Sequence, residues 1–324
     1  MNLHQRTARV GLTAILCAFV FRVFAMGLPE KLLSRLNRPD TAAFLIYLET
    51  GQDVRFSASS EVFSPRFVET PAPAIPLPEE PVIPTFSDPE AVSLYYASRV
   101  SPDIGALLAQ PLSWNLYAEE PAVLILHTHS TESYTKNGES YRETSSWRTL
   151  DEDYNMLSIG SCVAQLLQEA GISVIHDREV HDYPSYNGSY AHARKTIQAH
   201  LEENPSIRLV LDLHRDASAG EGSQLRTKVT VDGEASAQLM VVLGTEHETY
   251  EENLSLGLKL HAQLEARNPG ITRPLQLRAQ RFNQDLNPGM LLIEVGAAGN
   301  TRTEALRAAK ALAEAVIALG LGTG

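Results

Sequence analysis

Cysteine is scarce in this chain, which has only Cys17 and Cys162 among 324 residues. Two distant thiols without a CxxC spacing exclude a disulfide framework and argue against a thiolate metal site. A basic surface is also lacking, because the formal net charge is −12, and we therefore expect no nucleic acid among the partners. Hydrophobic residues still make up 44% of the sequence, which is enough for a folded core.

The longest apolar run lies near the N-terminus, at residues 10–28. Arg22 is its one charged residue, and Arg6 and Arg9 precede it. About 20 apolar residues cross a bilayer as a helix, and a basic flank keeps the N-terminus in the cytoplasm. We therefore expect residues 1–28 to form a single-pass transmembrane anchor that leaves the rest of the chain outside the cytoplasm. The alternative is a signal peptide that is cleaved near residues 25–27.

Proline is concentrated in residues 71–92, a segment that carries no basic residue. Such composition is typical of an extended, semi-rigid linker. We interpret residues 29–118 as an extracytoplasmic linker or interaction region that contains this segment. A periodic apolar pattern within it, at residues 89–110, predicts a helix ahead of the main domain.

The character of the sequence changes at about residue 120, and we place the main domain at residues 119–324. Short β-branched runs alternate there with amphipathic stretches, which predicts an α/β domain with a mixed, largely parallel sheet flanked by helices. The predicted strands are residues 122–126, 172–175, 208–213, 239–243 and 290–295. The predicted helices are residues 155–170, 190–203, 253–267 and 302–319. Gly171 fits a helix C-cap, and Thr301 with Glu304 fits a capping box.

Histidine and glutamate stand at the ends of three predicted strands. His127 and His129 follow the first strand, His214 follows the third, and Glu294 lies in the last. Ligands bind at the carboxyl ends of parallel strands, and imidazole with carboxylate suits a catalytic zinc ion that has three protein ligands. The pattern therefore predicts a Zn²⁺ site, at which Glu294 serves as the general base and acid.

The carboxylate that completes this metal site is left open by the sequence. Glu132 lies three residues beyond His129, while Asp151 and Glu152 stand at the start of the first predicted helix. Glu143 lies between them. A carboxylate at a helix start, such as Glu152, is a natural ligand but equally a good partner for the helix dipole.

Four long motifs resemble those of the stage II sporulation protein P family. They are HTHSTESY at residues 127–134, HDREVHDYPSYNGSYAHAR at 176–194, LVLDLHRDA at 209–217 and FNQDLNPGMLLIEVGAAGNTRTEA at 282–305. Their order agrees across roughly residues 119–320, and that family is similar in fold to the zinc N-acetylmuramoyl-L-alanine amidases. The anchor and the proline-rich spacer also fit the layout of the family.

This resemblance implies roles for individual residues. His214 would be the second zinc ligand, Glu294 the catalytic glutamate and Glu152 the ligand at the helix start. The first ligand would be His129 or His127, and placing the strand ends of the two families together favours His129. We also expect Arg215, Asn283 and Asp285 to bind substrate.

The function implied is hydrolysis of peptidoglycan during spore engulfment, at the bond between muramic acid and L-alanine and also at peptide cross-links. The implied partners are the stage II sporulation proteins D and M, at the cell membrane. Two alternatives remain open from the sequence. One is a catalytically inactive, membrane-tethered module that binds the cell wall, and the other is a structural partner that uses residues 29–118 as an interaction arm.

Overall fold

The computed structural model describes residue 86 and residues 88–135, 147–217 and 225–323. All of them belong to one compact unit, Pro73–Gly324. The predicted anchor at residues 1–28 and most of the proline-rich segment lie outside the described residues. Within the part of the chain that is described, no helix has both the length and the apolar character needed to cross a bilayer.

Seven strands form the main sheet, in the order β1-β8-β7-β9-β4-β2-β3. They are β1 (Leu94–Ala97), β2 (Val123–Leu126), β3 (Val174–His176), β4 (Leu209–Asp216), β7 (Leu239–Gly244), β8 (Leu275–Arg278) and β9 (Met290–Ala297). Every neighbouring pair is parallel except β7 and β9, so the expected mixed, largely parallel sheet is confirmed. A separate antiparallel hairpin consists of β5 (Val229–Val231) and β6 (Glu234–Ser236).

Five α-helices accompany the sheet in the described part of the chain. They are α1 (Ile104–Ala109), α2 (Met156–Glu169), α3 (Ser189–Glu203), α4 (Tyr250–Arg267) and α5 (Arg302–Ala318). The four helices predicted from periodicity are thereby confirmed as α2 to α5. Gly171 follows α2 with φ of 88°, a value that suits glycine, and Thr301 and Glu304 form the expected capping box at α5.

Side chains of β4 alternate between two helical layers, and this alternation positions the functional side chains. Leu211 and Leu213 belong to the large core that the sheet shares with α2, α4 and α5. Val210 belongs to a smaller core on the opposite face, with residues of α3. Because successive strand residues point to opposite faces, Asp212 and His214 extend the α3 face beyond Val210.

Residues 88–118, ahead of the expected domain start, are part of the folded domain. The helix predicted over residues 89–110 is wrong, because the structure has a 3₁₀ turn, strand β1 and the short helix α1 there. Strand β1 pairs with β8, and Lys259 Nζ of α4 donates to Leu107 O of α1 at 2.9 Å. Trp114 Nε1 donates to Leu319 O at 2.7 Å, beside the end of α5. The folded unit therefore begins N-terminal to the domain start that the sequence pattern indicates.

We predict that a fragment of residues 119–324 is much less stable than one of residues 86–324. The shorter fragment lacks four buried side chains, those of Val92, Leu107, Leu108 and Leu116. Each contributes about 1.5–3 kcal/mol by burial, so together they approach the roughly 5–15 kcal/mol by which a domain is stable. Thermal unfolding followed by circular dichroism measures the difference. Equal melting temperatures and equal cooperativity would show that the segment merely rests on the domain.

Candidate functional site

His214 and Glu294 lie side by side on neighbouring strands. They are register partners in the parallel pair β4 and β9, on the face that α3 covers. His214 is buried, and Glu294 Oε2 is buried without a hydrogen-bond partner. Burial raises the pKa of Glu294 to about 8. At neutral pH this carboxyl group therefore carries a proton more readily than an ordinary glutamate does.

His127 and His129, which follow β2, have different surroundings. His127 Nδ1 lies 3.1 Å from Leu213 O and its Nε2 lies 3.0 Å from His176 Nε2, beneath α2. A Cβ atom on Gly160 of α2 would lie only 2.4 Å from His127 Nε2, so this pair fills its space completely. His129 instead contacts His214, with ring centroids 5.1 Å apart. The structure therefore brings His129, rather than His127, into ring contact with His214.

Glu132 lies in the turn that follows β2 and joins His129 and His214. Its Oε2 accepts a hydrogen bond from the main-chain N–H of Arg215 at 3.1 Å and lies 3.6 Å from His214 Nδ1. Its Oε1 lies 3.5 Å from guanidinium nitrogens of Arg148 and Arg215. Burial alone would raise the pKa of Glu132, but Arg215 and His214 outweigh it and hold the pKa below its usual value. Glu132 is thus an ionised, buried carboxylate beside His129 and His214.

Asp212 sets the distance between the end of β2 and β4. Its Oδ1 accepts a hydrogen bond from the main-chain N–H of Thr128 at 2.8 Å, and its Oδ2 accepts one from Thr128 Oγ1 at 2.7 Å. Its Oδ1 also lies 3.0 Å from His214 Nε2, although that contact is not aligned as a hydrogen bond. Burial lowers the pKa of His214, but Asp212 and Glu132 outweigh this effect and raise it well above its usual value.

The other carboxylates that the sequence offered do not join this cluster. Glu152 is exposed and forms an ion pair with Arg178. Asp151 is exposed and accepts a hydrogen bond from the main-chain N–H of Asp153. Glu143 lies outside the described residues. Of these sequence candidates that the structure describes, Glu132, which lies within the first motif, is the one placed against His214.

A second group of possible ligands lies behind the site. Among the described residues, one set of three has donor atoms that all lie within 4.8 Å of one another: Asp177, Glu179 and His181. His181 Nδ1 meets His127 O at 3.0 Å, and its Nε2 meets Thr196 Oγ1 at 3.2 Å. Asp177 Oδ2 lies 2.8 Å from His200 Nε2. These atoms already have partners inside the protein, so the group serves to hold the segment after β3.

The cluster around His214 differs because it contains buried polar atoms without hydrogen-bond partners. They are His129 Nδ1, His214 Nε2 and Glu294 Oε2. A buried polar atom without a partner costs about 1–3 kcal/mol, so His129 Nδ1 and Glu294 Oε2, beside a His214 Nε2 that meets only the misaligned Asp212 carboxylate, indicate a site that is not built for stability alone. Two imidazoles with a carboxylate form a donor set that suits zinc. The donor atoms of His129, Glu132 and His214 are nonetheless more widely spaced than those of the group behind the site.

A groove adjoins the cluster through Tyr190, whose ring lies 6.4 Å from that of His214. Its volume is about 420 Å³, and its lining includes Tyr190, Arg194, Arg281, Phe282 and Asn283. Asn283 Nδ2 donates to Tyr190 O at 2.8 Å, and Asp285 receives two hydrogen bonds from Arg194 at 2.9 and 2.7 Å. Asn283 and Asp285 thus brace this groove, and their predicted role in substrate binding stays a prediction.

Arg215, the third residue expected to bind substrate, is buried rather than open to the groove. Its guanidinium group donates to Trp147 O at 2.8 Å and to Ser133 O at 3.3 Å, and it faces Glu132. These contacts hold the turn after β2 against β4. Sequence reasoning missed Asp212, whose signal was present as a carboxylate two residues before His214, on the same face of the strand.

Comparison with known proteins places these motifs in a family. The family described as "Stage II sporulation protein P" matches residues 82–317. The curated stage II sporulation protein P of Bacillus subtilis (strain 168) is 27% identical over 207 residues, which cover 60% of this chain and 50% of the relative. The chain therefore spans about half the length of that relative.

Solved structures of amidases are distantly similar. The CwlD amidase from Clostridioides difficile, in complex with the GerS lipoprotein, is 13% identical, with a TM-score of 0.40 over 60% of this chain and 96% of that chain. The N-acetylmuramoyl-L-alanine amidase AmiC2 of Nostoc punctiforme is 15% identical, with a TM-score of 0.37 over 62% and 94%. Similarity at these TM-scores is too weak to assign a function. The family match, in contrast, covers well over half of the sequence, and the chain belongs to the stage II sporulation protein P family.

Proposed function

We propose that this chain is a zinc-dependent peptidoglycan hydrolase of sporulation that cleaves the N-acetylmuramoyl-L-alanine amide bond. The observation that carries the proposal is the cluster of His129, Glu132 and His214, three buried side chains, beside Glu294, whose Oε2 is buried without a hydrogen-bond partner. Membership of the stage II sporulation protein P family supports a substrate in the cell wall. Cleavage of peptide cross-links is the same hydrolysis of an amide and is included in the proposal.

The residues that would hold zinc are His129, Glu132 and His214. Their chemistry fits, because a catalytic zinc takes three nitrogen or oxygen ligands and keeps a position open. When bound, zinc supplies a Lewis acid that polarises a carbonyl group and lowers the pKa of a water molecule. Arg215 and Arg148 hold the Glu132 carboxylate in its ionised form from the side away from the histidines.

Glu294 is the proton carrier in this proposal. It is the cross-strand neighbour of His214, and burial raises its pKa to about 8, so its side chain can both take up and release a proton near neutral pH. The carboxylate takes a proton from the attacking water and then delivers it to the nitrogen of the leaving amine. The C–O bond to the carbonyl carbon forms first, and the amide C–N bond breaks when its nitrogen takes up the proton, so water is the only other reactant.

The setting of this activity is also a proposal. An anchor at residues 1–28 would tether the domain outside the cytoplasm, and the stage II sporulation proteins D and M would be its partners, as the family resemblance implies. Copurification of both proteins with the full-length chain from sporulating cells is the measurement. Recovery of neither protein would remove that part of the proposal without affecting the chemistry of the site.

His214→Ala is predicted to abolish both zinc binding and hydrolysis. We expect the wild-type protein to contain one zinc ion per chain and to release stem peptides from purified peptidoglycan. His247→Ala is the matched control, because His247 follows β7, which runs antiparallel to β9, away from the cluster. Metal analysis and mass spectrometry of the released fragments are the measurements. Wild-type protein that binds the wall but releases nothing would favour the catalytically inactive wall-binding module.

The variants Glu132→Gln and Glu152→Gln test which of the two glutamates is the third zinc ligand. The position of Glu132 beside His214 favours Glu132, whereas the family resemblance of the sequence favours Glu152 at the helix start. Glu132 is buried against His214, whereas Glu152 is exposed and paired with Arg178. We expect zinc affinity to fall by at least about tenfold in Glu132→Gln, because a ligand loses its charge, and to stay unchanged in Glu152→Gln. Competition with a chromophoric chelator measures both affinities. Weaker zinc binding in Glu152→Gln, with unchanged binding in Glu132→Gln, would instead identify Glu152 as the third ligand.

Glu294→Gln is predicted to separate metal binding from catalysis. Glutamine keeps the size of the side chain but cannot accept a proton, so hydrolysis should fall by about 100-fold or more while the zinc content stays that of the wild type. Initial rates of stem-peptide release and metal analysis of the same preparation test this. A variant that keeps more than a tenth of the wild-type rate would exclude Glu294 as the proton carrier.

A further inference from the structure

The ring of His129 lacks the polar contact that usually orients a metal-binding histidine. Such a histidine donates its second ring N–H to a carboxylate, a carbonyl oxygen or water. His127 has a contact of this kind, at 3.1 Å from Leu213 O. His129 Nδ1, in contrast, is buried without a hydrogen-bond partner among the residues that the structure describes. Some other contact must therefore hold the plane of the His129 ring.

An aromatic stack supplies this contact. The ring of Tyr186 lies against the face of His129, with centroids 4.4 Å apart and planes inclined by 22°. The guanidinium carbon of Arg148 lies 4.2 Å from the centroid of the Tyr186 ring. Offset stacking of rings and a cation over a ring are each worth about 0.5–1.5 kcal/mol, which is enough to select one orientation of a side chain.

Arg148 is itself fixed in place. Its guanidinium group donates to the buried carboxylate of Asp182 at 2.6 Å and lies 3.5 Å from Glu132. Asp182 in turn accepts a hydrogen bond from Thr131 Oγ1 at 2.7 Å, in the turn that carries Glu132. The stack is therefore anchored to the same turn that presents both His129 and Glu132.

Tyr186 is not needed to fill the core. Its side chain is 51% exposed, in contrast to the fully buried Tyr134. Tyr190 also contacts His129, edge to face at 5.4 Å, but it lies parallel to His214 as well and so serves both rings. An exposed tyrosine that lays its face on one buried histidine has the geometry of a residue that acts through that histidine.

We propose that Tyr186, held by Arg148, is a positioning residue that fixes the plane of the His129 ring for metal binding. This inference rests on the proposed function, because it requires His129 to be a metal ligand. It assigns to the aromatic stack the task that a hydrogen-bond acceptor performs for most metal-binding histidines. Tyr186 itself contacts neither the metal nor the bond that is cleaved.

The test compares three variants of the full-length protein: Tyr186→Leu, Tyr186→Phe and Tyr95→Leu. Tyr95 is the control, because it is an equally exposed tyrosine on the edge strand β1. The affinity for Zn²⁺ alone is measured by competition with a chromophoric chelator. The visible absorption spectrum of the Co²⁺-loaded protein reports the geometry of the ligands independently of activity.

We expect Tyr186→Leu to weaken Zn²⁺ binding by about tenfold or more and to change the Co²⁺ spectrum. Tyr186→Phe retains the stacked ring, so its affinity and spectrum should match those of the wild type, as should those of Tyr95→Leu. Equal thermal stability of the variants confirms that the fold is intact. Unchanged affinity and spectrum in Tyr186→Leu would overturn the inference.

His214→Ala separates this inference from the proposed function. Loss of metal in His214→Ala together with normal binding in Tyr186→Leu would retain the metal site and reject the role of Tyr186. Full metal binding by His214→Ala, or no binding by the wild type, would overturn both proposals. Weak binding by Tyr186→Phe as well would show that the hydroxyl group, rather than the ring, is responsible and would equally reject the stacking inference.

Discussion

One buried carboxylate, that of Asp212, determines the spacing on which the site depends. It lies in the middle of the sheet and accepts two hydrogen bonds from Thr128, at the point where β2 ends. A buried charge is tolerated only when it is paired and hydrogen-bonded, so this contact is strongly constrained. It holds the chain after β2 against β4 and thereby sets His129 beside His214.

The two glutamates that face His214 have pKa values shifted in opposite directions, because their surroundings differ. At Glu132, the Arg215 guanidinium and His214 outweigh the effect of burial, so the pKa is lowered and the carboxylate stays ionised. Glu294 has no such donors at Oε2, and burial raises its pKa to about 8. Two carboxyl groups whose surroundings shift their pKa values apart are suited to different tasks. The first is suited to hold a cation and the second to carry a proton.

Much of the domain was predictable because its central elements follow regular patterns. Strand β2 is a continuous apolar run, and β4 and β9 each begin with one that ends at Asp212 and Glu294, while α2 and α5 are amphipathic with recognisable ends. Strand β1, at the edge of the sheet, and strand β8, which pairs with it, were missed because each has four residues and is only partly buried, so its pattern is weak. The segment before residue 119 was read as a linker for the same reason. Its contacts are made with α4 and α5, more than a hundred residues away in sequence.

The sequence by itself determined the family, the order of the central strands and helices, and the positions of His214 and Glu294 at strand ends. Those residues lie within strands, where the alternation of side chains can be counted. Only the tertiary structure shows that His129, and not His127, is in ring contact with His214, and that Glu132 lies beside His214 whereas Glu152 is exposed and paired with Arg178. These residues lie in turns or at a helix start, where no period predicts the direction of a side chain. His127 packs against α2, and Arg148 and Arg215 form ion pairs with Glu132. These contacts depend on residues that are distant in the chain.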